Sequence, residues 1–234
     1  QDVAFATQRW ASSMTTSGTR SFNLDVGEII EEAYERCGLE VRTGYDAKTA
    51  RRSLNLMFAD WANRGINLWT VAQGTTDLVQ GTSTYTLDSD VVDMLEMVLR
   101  RDGTDFEVER ISRGQYLTFP NKTDQGRPSQ FYFNRQIDPV ITLWQNPENS
   151  TDQLVYYYVR RIEDADTLVN TTDLPFRFYP CLAAGLAYYL AIKRAPERIQ
   201  ILKSIYEEEF QRAADEDQDR VPLKLQPGRG YLRS

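Results

Sequence analysis

Two segments near the start of the chain carry apolar residues at the three- and four-residue spacing of an amphipathic helix. In the first, over 25–37, Asp25 and Glu28 have the spacing of a capping box, and Gly38 can end the helix in the left-handed conformation. Its apolar positions are Val26, Ile29, Ile30, Ala33 and Tyr34. This spacing predicts a helix with one face in a core.

The second segment runs over 46–64 and is expected to end at Gly65. Its apolar positions are Ala47, Ala50, Leu54, Met57, Phe58 and Trp61. Only a short loop over 39–45 separates the two predicted helices. A helical hairpin is therefore the simplest arrangement of this part of the chain.

Between residues 66 and 162 the pattern changes to the alternation that is typical of strands. Strands are predicted over 67–73, 84–87, 96–101, 106–110, 131–133, 141–144 and 154–161. The dipeptide Asp102-Gly103 indicates a hairpin between two of them. Residues 112–117 are predicted to form a short helix, and the polar loop over 119–129 is long enough to protrude. We interpret the region as one antiparallel sheet or a small sandwich.

Helical spacing returns after residue 174. Residues 176–194 are apolar on nearly all sides, which predicts a helix buried on several sides, with Pro180 tolerated in its first turn. A last helix is predicted over 197–217, and its other face is acidic over 207–209. The apolar line of this helix is Ile199, Leu202, Ile205, Tyr206, Phe210 and Ala213.

The fold class predicted by these elements is α+β: a bundle of N-terminal and C-terminal helix pairs with an inserted antiparallel β region and extended arms at both ends. The predicted parts are an N-terminal arm over 1–22, a helical hairpin over 23–65, the β region over 66–162, the closing helices over 163–217 and a C-terminal arm over 218–234. Met14 offers a second start, so residues 1–13 are expected to be an upstream or processed extension.

The amino-acid composition excludes several kinds of catalytic and metal site. The chain has 234 residues, no histidine and two cysteines. The absence of histidine excludes Ser-His and Cys-His nucleophile pairs and His-ligated metals, so we expect no cofactor and no metal. Cys37 and Cys181 form no metal or redox motif and are interpreted as two buried thiols in a reducing compartment. The longest apolar run, over 178–192, is too short to span a bilayer, so no membrane is expected.

Charge is distributed unevenly. The formal net charge of −7 argues against a dedicated nucleic-acid binder. The C-terminal arm has four basic residues and one acidic residue, a net of +3, which leaves −10 on the rest of the chain. Because neither arm has enough apolar residues to build a core, we expect both to lie on neighbours in an assembly.

Three groups of side chains are candidates for chemistry. A carboxylate pair for glycoside hydrolysis could come from the first helix: Glu31, Glu32 and Glu35. A divalent cation could be held by Asp88, Asp90 and Asp93. The strand over 156–161 combines tyrosines with arginines, as a nucleic-acid stacking platform would. Plainer interpretations are a solvated helix face, a cap of a short helical turn at Asp90, and sheet packing.

Several longer patterns resemble one family. In the first half they are Ala50-Arg51-Arg52-Ser53-Leu54-Asn55, Trp61-Ala62-Asn63-Arg64-Gly65 and Asn67-Leu68-Trp69. In the second half they are Asp173-Leu174-Pro175, the helix through Leu182, Ala183, Tyr188 and Tyr189, Ala195-Pro196-Glu197 and Glu207-Glu208-Glu209. Over roughly residues 22–217 the chain resembles the head–tail connector adaptors of short-tailed bacteriophages, of the tail tubular A or head-completion type.

The resemblance implies a structural protein of the virion neck, made in the cytoplasm of the bacterial host. Such adaptors form a ring, usually of twelve copies, that extends the DNA channel beneath the portal and receives the tail nozzle. The portal contact would fall on Arg220, Lys224, Arg229, Tyr231 and Arg233. The nozzle contact would fall on Phe119, Asn121, Lys122 and Arg127. An acidic channel would let genomic DNA pass without specific binding.

Two other hypotheses stay open at this point. The first is a carboxylate-dependent cell-wall hydrolase built around Glu31, Glu32 or Glu35. The second, which is weaker, is a nucleic-acid-binding module on the strand over 156–161.

Overall fold

The computed structural model of the chain describes residues 18–19, 22–65 and 68–217. The predicted C-terminal arm lies outside the described residues, and so do the five portal-contact candidates: Arg220, Lys224, Arg229, Tyr231 and Arg233. The proposed second start at Met14 also lies outside them.

The described residues contain five α-helices: α1 (Val26–Arg36), α2 (Gly44–Asn63), α3 (Arg113–Thr118), α4 (Tyr179–Arg194) and α5 (Ile199–Glu216). Three 3-10 turns precede strands or helices: Leu68–Thr70, Phe176–Phe178 and Pro196–Arg198. The capping box of Asp25 and Glu28 is present at α1, and Gly38 has a φ of +71° after it. The predicted helices over 25–37 and 176–194 are thus confirmed to within a few residues at each end.

Ten strands follow α2 in the described chain: β1 (Val71–Asp77), β2 (Thr84–Thr86), β3 (Val91–Arg101), β4 (Thr104–Glu107), β5 (Glu109–Ile111), β6 (Gln125–Gly126), β7 (Gln130–Asn134), β8 (Val140–Trp144), β9 (Asn146–Pro147) and β10 (Gln153–Arg160). The first sheet has the antiparallel order β1-β10-β3-β4, and the second has the order β2-β8-β7-β5. Two short pairings, β5 with β7 and β6 with β9, are parallel. The α+β fold class is confirmed.

The helical core is arranged around α4, which packs against α1, α2 and α5. The Trp61 indole Nε1 of α2 donates a hydrogen bond of 2.8 Å to the Tyr206 hydroxyl of α5, and both side chains are fully buried. A Cβ at Gly185 of α4 would be 2.5 Å from the Met57 sulfur of α2 and 2.8 Å from the Tyr206 ring of α5. The absence of a side chain at this glycine therefore lets three helices approach closely.

A second core lies between the two sheets. Met97, Leu99 and Leu154 of the first sheet pack with apolar residues of the second, such as Phe131 and Ile141. Alternate residues of β7 and β8 are buried, as expected for a sheet with one covered face. The sheet region therefore builds its own core, separate from the helical one.

Two predicted boundaries are wrong for physical reasons. α2 begins at Gly44 because the N-cap is Thr43, whose side chain accepts from the backbone N–H of Asp46. The predicted strand over 106–110 divides at Val108, which is buried and donates its N–H to the Met97 carbonyl. The chain leaves the first sheet there and joins the second. The hairpin at Asp102-Gly103 is confirmed, with φ of +50° and +77°.

The first predicted strand is also displaced. Residues Leu68–Thr70 form a 3-10 turn, and the strand begins at Val71 instead of residue 67. The Trp69 ring packs on Phe178 with the centroids 4.5 Å apart, and its Nε1 donates to the Asp173 carbonyl at 3.0 Å. Tertiary packing of this tryptophan against the helical part therefore overrides its strand propensity.

Asp46 joins the start of α2 to the end of α4. Its carboxylate accepts from the Thr43 hydroxyl at 3.0 Å and from Arg194 Nη2 at 2.7 Å. The hydrogen bond from Thr43, and then the contact with Arg194, lower the pKa of the Asp46 carboxyl against the opposing effect of burial. This carboxylate is therefore held ionised where two helix ends meet.

Replacing Gly185 with alanine tests the close approach of the helices. Overpacking costs about 1–3 kcal/mol, and the better helix propensity of alanine offsets about 1 kcal/mol, so we expect a net loss of up to about 2 kcal/mol in the free energy of unfolding. Urea denaturation measures it. The matched control is Gly44→Ala at the start of α2, where a Cβ meets nothing within 4 Å. Equal effects of the two changes would contradict the packing argument.

Replacing Asp46 with asparagine should lower stability in a pH-dependent manner. Because the pKa of the folded carboxyl lies below the unfolded value of about 3.9, its contribution is present above that value and is lost as pH falls further. The gap in urea midpoint between wild type and Asp46→Asn should therefore be full at pH 7 and narrow below about pH 4. Asp138→Asn, at an exposed loop position, is the control. A gap that does not change with pH would disprove this role.

Candidate functional site

The loop over 119–129 is fastened along the second sheet. The Phe119 ring stacks on Trp144 with the centroids 4.1 Å apart and the planes 10° from parallel. Trp144 Nε1 donates to the Asn121 carbonyl at 3.1 Å, and β6 pairs with β9 in the middle of the loop. The loop was expected to protrude, but these contacts hold it at its beginning and middle.

The structure brings three of the four nozzle-contact candidates together. Phe119 is half-buried on Trp144, and Lys122 Nζ donates to the Phe119 carbonyl at 3.0 Å. The Asn121 side chain accepts from the backbone N–H of Thr123 at 3.1 Å, which forms a local turn. This cluster keeps Asn121 exposed at the surface.

Arg127, the fourth candidate, lies elsewhere on the loop. Its guanidinium is 4.1 Å from the centroid of the Phe106 ring of β4. It is exposed and therefore available to a partner, but it contacts a different strand from the Phe119 cluster. The loop thus carries two separate exposed positions, Asn121 and Arg127.

The aromatic contacts that hold this loop were not predicted from the sequence. Tyr116 of α3 stacks on Tyr132 of β7 with the centroids 6.3 Å apart, and its ring meets Phe119 edge-on. Tyr116 and Phe119 are three residues apart, which is the spacing of neighbours on a helix. That spacing was the available signal for a packed face on α3.

A groove of about 600 Å³ lies between α1 and α4, and we call it the acidic groove. Its apolar lining comes from the residues before α1, from the 3-10 turn before α4 and from the first turns of α4: Phe22, Leu24, Phe176, Tyr179, Pro180 and Ala183. Its charged lining comes from α1: Glu28, Glu31, Glu32, Glu35 and Arg36. Apolar surface with charged edges is typical of a site that binds another chain.

A neighbouring groove of about 560 Å³ lies between α1 and α5. Ile201 and Ile205 line it with exposed fractions of 66% and 40%, together with Arg36 and Arg198. Ile205 belongs to the predicted apolar line of α5, and the structure places it at the edge of the groove and not in the core. Of the other members, Ile199 is partly buried, and four are fully buried: Leu202, Tyr206, Phe210 and Ala213.

The hydrolase hypothesis needs one carboxyl in an apolar pocket. Glu31 and Glu35 are exposed, and Glu32 accepts from Arg36 Nε at 2.7 Å. These glutamates line the surface of the groove, so the arrangement lacks the desolvated acid that such chemistry requires. Their interpretation as a solvated helix face agrees with the structure.

The aspartates proposed for a cation do not converge. Asp93 pairs with Arg110 at 3.0 Å and lies 3.6 Å from Arg135. The Asp88 carbonyl accepts from the N–H of Val91, so residues 88–91 form a turn that leads into β3. The expectation that Asp90 caps a helical turn is therefore wrong. Within the described ranges, no three His, Cys, Asp or Glu side chains are grouped to hold a metal.

Two of the three tyrosines of β10 pack into the sheet region. Tyr156 is buried over Gly74 of β1, where a Cβ would be 2.5 Å from the tyrosine ring. Tyr158 packs against the sheet core, and Arg160 Nη2 donates to Asp173 at 3.0 Å. Only Tyr157 of the three is exposed, at 45%, so sheet packing is confirmed.

Both cysteines are buried and free, as expected. Burial raises the pKa of each thiol above its ordinary value. In the part of the chain that the structure describes, no helix combines the length and the apolar character needed to cross a membrane.

Comparison with known proteins gives a family match. The family model described as SU10 adaptor protein matches residues 24–228, which include all the described helices and strands. A search of curated proteins finds no match to the chain.

Removing the Phe119 ring should release the loop. Phe119→Ala deletes the stack on Trp144, so trypsin should cleave after Lys122 about tenfold faster while the free energy of unfolding falls by about 1–2 kcal/mol. Limited proteolysis with mass spectrometry measures the rate. Ile137→Ala, at a loop residue that is 91% exposed, is the matched control. Equal rates in wild type and Phe119→Ala would show that the stack does not fasten the loop.

Proposed function

The chain belongs to the SU10 adaptor protein family of phage structural adaptors, and from that premise we propose that its copies form a ring between portal and tail nozzle. The ring, of twelve copies, lies beneath the portal in the virion neck and extends the DNA channel. Its partners are other copies of the chain, the portal and the nozzle.

The observation that carries this proposal is the division of charge. The last 17 residues have a net charge of +3, and the rest of the chain has −10. A short basic segment on an acidic body favours attachment of that segment to a separate partner, because opposite charges set both register and encounter rate. We assign the portal contact to Arg220, Lys224, Arg229, Tyr231 and Arg233.

The nozzle contact is assigned to the loop over 119–129. The contacts of Phe119 and Lys122 within the chain fix the backbone, while Asn121 and Arg127 stay exposed. A pre-organised loop loses little conformational entropy when it binds, which favours a stable joint. In this assignment Phe119 and Lys122 act by positioning, and Asn121 and Arg127 make the contact.

The net negative charge of the chain favours passage of DNA through the proposed ring. Twelve copies at −7 carry about −84 in total, so the walls of the channel would repel phosphates and let the genome slide. The hydrolase alternative receives no support from the exposure of Glu31 and Glu35. A structural role, in which the protein joins two larger assemblies, fits the family and the arrangement together.

The two assigned contacts can be separated by neutralising charges in the full-length chain. Changing Arg220, Lys224, Arg229 and Arg233 to glutamine should weaken co-sedimentation with portal rings at least about tenfold and remove its dependence on salt. The same variant should keep its binding to the nozzle protein.

The reciprocal variant is the matched control. Asn121→Ala with Arg127→Gln should keep portal binding and lose nozzle binding. Unchanged portal binding of the fourfold glutamine variant would refute the portal assignment. Unchanged nozzle binding of the loop variant would refute the nozzle assignment.

A further inference from the structure

The acidic groove between α1 and α4 is uncovered although much of its lining is apolar. Phe22 and Phe176 line it and are 75% and 77% exposed. Across residues 22–65 and 68–217, nothing buries these two rings. Leu24 and Pro180 also contribute to the apolar lining. Grouped exposed apolar side chains of this kind mark a surface that another segment covers.

The charge of the groove defines what can cover it. The lining has four glutamates on α1 and one arginine, Arg36, which is already paired with Glu32. Glu31 and Glu35 are exposed. The occupant should therefore offer apolar side chains to the lining and positive charge to α1.

Residues 218–234 of the chain have that chemistry. The stretch 220–225 reads Arg-Val-Pro-Leu-Lys-Leu. In an extended backbone, alternate side chains point to opposite sides, so Val221, Leu223 and Leu225 would share one side. Arg220 and Lys224 would share the other side, and their long side chains can bend toward carboxylates at the edge of a groove.

The last described residue is bonded to the sequence neighbour of a groove-lining residue. Asp217, the residue after α5, accepts from Arg177 Nη2 at 2.5 Å. The residue before this arginine is Phe176, which lines the groove. Residue 218 therefore follows a residue that is bonded to the immediate sequence neighbour of Phe176. From there, 17 residues can extend up to about 60 Å.

We propose that residues 218–225 lie in the acidic groove of the same chain in the free subunit. Val221, Leu223 and Leu225 cover the apolar lining, and Arg220 and Lys224 face Glu31 and Glu35. This docking does not depend on the portal assignment. If the segment also binds the portal, the portal must first take it from the groove, so the free subunit keeps its attachment segment covered.

The test is limited trypsin proteolysis of the full-length chain, because Arg220 and Lys224 are themselves cleavage positions. Docking protects them, and the double variant Glu31→Gln, Glu35→Gln should raise the rate of cleavage after Lys224 about fivefold. Phe176→Ser, at an exposed position, should raise it as well. The matched control is Glu96→Gln, Glu107→Gln, which neutralises two exposed carboxylates on the first sheet. Thermal melts within about 2 °C of wild type establish that the variants are folded.

Three outcomes would overturn the proposal. Equal cleavage rates after Lys224 in wild type and the groove variants would show that the segment is not docked there. Faster cleavage after Arg9, with no change after Lys224, would make the N-terminal segment the occupant. Protection that disappears on dilution would place the segment in the groove of a second copy.

Discussion

The close contact of three helices around Gly185 is the constraint on which the helical part depends. Trp61 and Tyr206 come from helices far apart in the sequence, and their hydrogen bond satisfies two polar atoms inside a dry core. Such atoms are costly to bury unless they are paired. The missing side chain of the glycine lets the pair form, and the position of α4 then decides where α1 can lie. Both surface grooves follow from that placement.

The helices can be predicted from the sequence because caps and apolar spacing involve residues only a few positions apart. The capping box at Asp25 and the helical spacing of Leu54, Met57 and Trp61 are sufficient to place α1 and α2. The ends of the β elements depend on distant partners instead. Trp69 leaves the strand pattern because its ring packs on Phe178, more than a hundred residues later. Val108 changes sheets because its side chain fills the core between them.

The surface grooves and the loop contacts were harder to predict than the helices, because residues distant in the sequence form them. The glutamates of α1 were visible in the sequence as a polar face, but most of the apolar lining opposite them comes from residues about 150 positions away. Ile205 fits the spacing of a buried residue, yet α5 lies so that it faces a groove. The loop over 119–129 was recognisable as a loop by its composition, whereas its fastening depends on Trp144 of a neighbouring strand. The net charge follows from the sequence alone, but the grouping of charges on one surface depends on the fold.

The sheet region leaves and rejoins the helical part through neighbouring strands. β1 begins and β10 ends side by side, with Val71 opposite Val159, and Arg160 and Trp69 both contact Asp173. Entry and exit of a region of about ninety residues are therefore only one strand spacing apart. An insertion with adjoining ends can be lengthened, shortened or exchanged without moving the helices that hold it. The sheet region can thus change in evolution while the helical part that holds it stays unaltered.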